Sequence, residues 1–257
     1  MPDFIQFFLF LGFTGLMFLL RLDARRFGAA EWDTEEGDWR TWASRLSWYL
    51  AGLALALLVY ALHPQPVSEL NLAFAPDSGE ALFMGLLFGL GGTAVAFGLA
   101  LLRSGRLRFP RPGRYPGAVL SSLGTAFFDE FLFRGVLLGL LLGLGLPDWT
   151  AVVAMAIIYA GAVRATSGGR GLMLLVSLAI GLVGGFLVLE TAGIAAGLVG
   201  HTITRFVLFL TMGHPGRAVV QAQLRTETQL YALPPTGWAR AGDEDDGRGG
   251  PGPVRRG

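Results

Sequence analysis

The chain has 257 residues, 53% hydrophobic and 15% charged, with mean hydropathy +0.53 and formal net charge +1. A soluble domain of this length carries nearer a quarter charged residues, so the balance argues against a water-soluble globule. With no Cys there is no disulfide framework, thiolate zinc site or cysteine nucleophile, and the Arg clusters flank apolar runs without interleaved aromatics, which argues against a nucleic-acid partner.

The apolar residues fall into runs of roughly 17 to 25, about what a helix needs to cross the hydrocarbon core. They predict seven spans, at 4–22, 46–62, 81–102, 117–145, 149–164, 171–189 and 191–211. The fold class is therefore an all-α polytopic transmembrane helix bundle. The start, MPDFIQFF, lacks a positive n-region and is followed by RLDARR, so the first span reads as a retained helix and not a cleaved signal.

The connection after span one is acidic and Trp-rich; Trp32, Trp39, Trp42 and Trp48 read as an interfacial segment, where indoles favour the headgroup level. Arginine asymmetry sets the orientation. Arg21, Arg25, Arg26, Arg40 and Arg45 follow span one, Arg103, Arg106, Arg108, Arg111 and Arg114 follow span three, and Arg164 and Arg170 follow span five. Between them, HPQPVSELNLAFAPDSGE, LPD and ETAG hold no Arg. This pattern expects an outside N-terminus and a cytoplasmic C-terminus. Spans six and seven could be two helices or one broken, re-entrant element.

Three regions follow: N-terminal helices over 1–80, a core over 81–212, and a Gly-, Pro- and charge-rich tail over 213–257 expected to be disordered. Glycines four apart recur at Gly135, Gly139 and Gly143, at Gly181 and Gly185, and at Gly193 and Gly197. Such small-residue faces let helices approach closely in lipid, so spans four, six and seven are expected to pack together through them.

Span four carries the chemistry. Asp129 and Glu130 lie about 18–20 Å along it from Gly117, at a depth where ionisable groups face the protein interior. Glu130 and Arg134, four apart with the acid first, are placed for an ion pair. Asp129 lies about 100° around the helix from Glu130 and is left without that partner, which makes it a candidate base, proton carrier or ligand. His201, with Arg205 one turn on, is the other polar candidate at depth; Gly197 precedes it on the contact face. Glu190 is read as exposed at a turn, and His63 and His214 as turn residues beside proline. A proton-relaying transporter would also use Asp129 and His201, but no inverted repeat accompanies them.

FFDEFLFRG resembles the EExxxR motif of the CPBP intramembrane peptidases, also called the CAAX protease and bacteriocin-processing or ABI family. The family pattern continues with FxxxH and with HxxxN or a similar polar ending on separate helices. HTITR is similar to the third part, with Arg205 in place of Asn. YAGAV is similar to the second, with Tyr159 for Phe and Val163 at the histidine position. The resemblance covers roughly residues 80–212. It implies an endopeptidase acting on membrane-embedded or membrane-anchored peptides, in a bacterial cytoplasmic membrane. Mapped onto it, Asp129 is the base, Glu130 and Arg134 the orienting pair, and His201 with Arg205 the oxyanion donors. A lapsed family member that binds a membrane peptide or acts as an immunity protein is the alternative. A zinc ion is suggested by the resemblance alone; with one intramembrane His, no tightly bound metal is expected.

Overall fold

A computed structural model describes residues 2–24, 26–27, 39–104, 116–166 and 171–212, which form helices and their connections with no strand among them. The helices are α1 (Pro2–Asp23), α2 (Trp39–Leu62), a one-turn α3 (Pro66–Glu69), α4 (Ser78–Ser104), α5 (Pro116–Asp129), α6 (Leu138–Gly143), α7 (Asp148–Thr166), α8 (Gly171–Thr191) and α9 (Ala195–Met212). A π-helical segment, Glu130–Leu137, joins α5 to α6. The expected disordered tail, His214 and the acidic stretch with Trp32 lie outside the described residues.

Each of the seven expected spans is helical. On length and apolarity alone, α1, α2, α4 and α8 can each cross a bilayer. Their outward faces carry Phe4, Leu19, Leu90, Leu102 and Leu175, all widely exposed, as side chains meeting lipid would be. The protein is an integral membrane helix bundle. Spans six and seven are separate helices: Ala192 adopts a left-handed φ of 51°, and the Gly193 N–H closes on the Val188 carbonyl at 3.3 Å.

The middle of the bundle is span four, whose π segment and α6 are buried from Leu132 to Leu141. Around it stand α1, α2, α7, α8 and α9, with α4 packed along α9. The α4–α9 contact is close because Gly85, Gly89 and Gly92 leave room for Val199, Ile203 and Thr204.

The expected glycine contacts are corrected in part. Gly135, Gly139 and Gly143 do not receive spans six and seven; Gly135 and Gly139 receive the connection between α2 and α4, and Gly143 the side chains of Gln6 and Glu69. That connection dips into the bundle: the Asn71 N–H donates to the Gly135 carbonyl at 3.1 Å, about 12 Å below the end of α6. Leu70 is buried there and Asn71 and Leu72 are half-buried, so protein covers the inner side of this irregular backbone. A Cβ on Gly139 would strike Glu69 O and Leu70 Cα, so only glycine admits the segment there. Gly181 and Gly185 face α7, and of the whole set only Gly197 turns toward span four.

The same connection sets α9. Carbonyls of Ala73 and Phe74 accept from Ile194 N and Ala195 N, both at 2.9 Å, satisfying N–H groups that a helix start leaves open. Gly193 is pressed on this backbone, a Cβ there lying 2.6 Å from Ala73 O and 2.7 Å from Ala75 N. Gly193→Ala should therefore destabilise the fold by about 1–3 kcal/mol, as overpacking does, read as a lowered melting midpoint in detergent. An unchanged midpoint would mean that the connection does not anchor α9. At the outer end, Glu69 joins Gln6 of α1 and His63 at the end of α2, the latter at 3.5 Å. His63 is thus a buried tie between elements, more than a turn residue. Glu190 is exposed, as the sequence indicates.

Candidate active site

The polar residues of span four lie where α5 passes into π spacing, with the Leu138 N–H reaching the Phe133 carbonyl five residues back. Wide turns of this kind recur at functional sites. Counting from Pro116, Asp129 is about 20 Å along the helix, and it is about as far from Gly143. Asp129, Glu130, Arg134 and His201 are fully buried, and Arg205 nearly so.

Glu130 and Arg134 do pair, Oε1 to Nη1 at 3.4 Å. The shorter contact of that oxygen is with His201 Nδ1, at 2.8 Å. Arg134 also donates from Nη2 to the Ile180 carbonyl at 2.9 Å and lies over the Tyr159 ring, 4.4 Å from its centroid. Gly184 makes room for the guanidinium, since a Cβ there would sit 3.0 Å from Nε. Gly197 does the same for Glu130: a Cβ would collide with Oε2. Among the described residues, that oxygen has no hydrogen-bond partner.

Asp129 is not left over. It forms a buried ion pair with Arg21, lies 3.6 Å from Arg205 Nη1, and accepts from the Tyr159 hydroxyl at 3.2 Å. The expectation of an unpartnered Asp129 beside a self-contained Glu130–Arg134 pair is overturned. Its partners come from α1, α7 and α9, not from its own helix. Arg21, placed by sequence in an arginine-rich connection, is instead the buried last turn of α1. Trp48, read as an interface anchor, is also buried: it stacks on Phe128 at 4.1 Å and donates from Nε1 to the Leu20 carbonyl at 2.9 Å.

In the motif resemblance Tyr159 only stands in for Phe, yet its hydroxyl joins the two halves of the site. It lies 3.2 Å from Asp129 Oδ2 and 3.4 Å from His201 Nε2. The result is a chain of contacts Arg134–Glu130–His201–Tyr159–Asp129. With the hydroxyl proton given to Asp129, its oxygen accepts from His201 Nε2–H. His201 Nδ1 and Glu130 Oε1 then share one proton, as imidazolium and carboxylate or as imidazole and carboxylic acid. Val163, one turn beyond Tyr159, is fully buried and apolar; it can neither donate to an oxyanion nor take a proton.

Asp129, Glu130 and His201 are the donors a metal would need. Asp129 is engaged by Arg21 and Tyr159, and Glu130 by His201 itself. Among the described residues no group of three His, Cys, Asp or Glu is arranged to hold a metal ion. The donor set does not fit zinc.

Residues 112–207 match the family model described as Type II CAAX prenyl endopeptidase Rce1-like. Those residues are similar to that family, as the motif resemblance expects. No curated protein and no solved structure matches the chain. The Rce1-like segment runs through α5, the π segment, α6, α7 and α8 into α9, and so contains Asp129, Glu130, Arg134, Tyr159, Val163, His201 and Arg205. Arg21 and Trp48 lie outside it.

Proposed function

We propose that the protein is an intramembrane endopeptidase of the CAAX-protease type, hydrolysing a peptide bond of a membrane-embedded or membrane-anchored substrate. The observation that carries this reading is the buried Glu130–His201 contact at 2.8 Å, inside the Rce1-like segment and about midway along span four. Glu130 is a better general base than Asp129: one of its oxygens is held by His201 and the other has no partner, whereas Asp129 is occupied by Arg21, Tyr159 and Arg205.

In this mechanism Glu130 Oε2 takes a proton from water as the water oxygen attacks the scissile carbonyl. The carbonyl oxygen becomes an oxyanion, and the Arg205 guanidinium is the cation of the site able to receive it. Collapse breaks the C–N bond, and the proton held between Glu130 and His201 passes to the leaving amine. Arg134 fixes Glu130. The arginine asymmetry supports an orientation with the C-terminus on the cytoplasmic side, and a bacterial cytoplasmic membrane is the location that goes with this reading.

A second reading, a lapsed member that binds a membrane peptide or serves as an immunity protein, is favoured by two observations. Val163 stands where the family pattern has His, and Asp129 is neutralised by arginines. Membrane-anchored peptides presented to the purified protein separate the two. The peptidase reading expects cleavage by wild type and its loss in His201→Ala. Cleavage that appears only after Val163→His identifies a lapsed enzyme, and cleavage by neither leaves only the binding role. Tyr159→Phe should slow an active enzyme by roughly 10²-fold in kcat, because it unties His201 Nε2 from Asp129 and lets the imidazole shift by about 1 Å; an unchanged kcat removes Tyr159 from the mechanism.

A further inference from the structure

Arg21 belongs to no motif of the Rce1-like segment, yet it is fully buried against Asp129. Its surroundings are built for a cation. The guanidinium carbon lies 5.4 Å from the Trp48 ring centroid, 5.1 Å from that of Phe128 and 5.7 Å from that of Phe133. Aromatic faces at these distances attract a cation, and more strongly away from water. Trp48 also ties down the backbone beside it, donating to the Leu20 carbonyl. The last turn of α1 is thus held from α2 and from both sides of the α5–π junction. A structural charge pair alone would not need this cage, because a buried pair is weak support for stability compared with apolar packing.

We propose that Arg21 is a positioning residue of the site, acting through Asp129. It fixes the Asp129 carboxylate so that Oδ2 faces the Tyr159 hydroxyl. That hydroxyl in turn holds His201 Nε2, leaving Nδ1 on Glu130. A helix outside the family-matched core thereby completes the site. The consequence for turnover rests on the peptidase reading; the coupling of Arg21 to Asp129 does not.

The test is a double-mutant cycle over Arg21→Met and Asp129→Asn in the full chain, read both as melting midpoint and as turnover of a membrane-anchored peptide. Each single change leaves one buried charge short of its partner and should lower the midpoint by about 5–10 °C. The double change removes both charges and should recover part of that loss. Arg21→Met should lower kcat by roughly 10²-fold, the scale of a displaced catalytic group, with KM changed less than about twofold. In the Asp129→Asn background it should cost little more, since residues acting as a unit are non-additive. Equal losses in both backgrounds, or a double variant as unstable as the two single losses combined, overturn the proposal.

Should Arg21→Met fail to fold, Arg21→Lys and Arg21→Gln replace it. The lysine keeps the charge in the aromatic cage and should retain at least about a tenth of the turnover that glutamine loses. Equal turnover in the two overturns the proposal as well. If wild type cleaves no peptide, the peptidase reading falls, and the melting cycle alone decides whether Arg21 and Asp129 are coupled.

Discussion

Replacing Glu130 by Gln should abolish peptide cleavage, lowering kcat by about 10²–10⁴-fold, the range that a positioned general base contributes. The amide matches the carboxylate in size and can still meet His201, so the pocket left by Gly197 remains filled. What it loses is the ability to take a proton from water. Glu130→Asp keeps the charge but draws it back by one methylene, and a displacement near 1 Å costs on the order of 10²-fold. His201→Ala should fall as far as Glu130→Gln, and the double variant no further, because a dyad that shares one proton works as a unit. Full activity in Glu130→Gln would return the base to Asp129 or remove hydrolysis from this site.

The second large effect is on stability. Arg134 is fully buried, paired with Glu130, bonded to the Ile180 carbonyl and stacked on Tyr159. Arg134→Met removes the charge with little change in volume and leaves Glu130 with His201 alone. Breaking a buried pair from one side costs about 3–5 kcal/mol, so the melting midpoint in detergent should fall by roughly 10 °C. Arg134→Lys should not restore it fully, because one ammonium cannot reproduce the fork that serves both Glu130 and Ile180. A midpoint within about a degree of wild type would show that this ion pair is not what holds α8 to the π segment.

The helices were legible in the sequence because a membrane imposes lengths and apolar runs that leave few alternatives. Asp129, Glu130, Arg134, His201 and Arg205 stood out for the same reason: ionisable groups at that depth are conspicuous against Leu, Phe and Gly. Their partners were not legible. Arg21 sits at the end of an apolar run, where arginine is the usual flanking residue, and nothing in its neighbours distinguishes a buried arginine from an interfacial one. Trp48 was hidden by the indoles that precede it. Tyr159 differs by one hydroxyl from the residue the motif leads one to expect, and a tyrosine on an apolar helix is ordinary core until its partner is known.

The connection between α2 and α4 escaped for a different reason. HPQPVSELNLAFAPDSGE has the prolines and polar residues of an exposed loop. Its seat on the bundle at Leu70–Leu72 depends on Gly135 and Gly139 of span four, and that at Ala73–Ala75 on Gly193 of the α8–α9 turn; glycine spacing alone does not say whether a helix or a loop will fill the groove. The π spacing over Glu130–Leu137 likewise has no periodic signature, since Phe131, Leu132 and Phe133 would suit either turn.

The most direct measurement is cleavage of a membrane-anchored peptide in H₂¹⁸O, with products read by mass spectrometry. Water activated at Glu130 predicts one ¹⁸O in the new carboxyl terminus, formed by wild type and absent with Glu130→Gln. No product from wild type, or labelled product formed equally by the Gln variant, would contradict the Glu130–His201 mechanism.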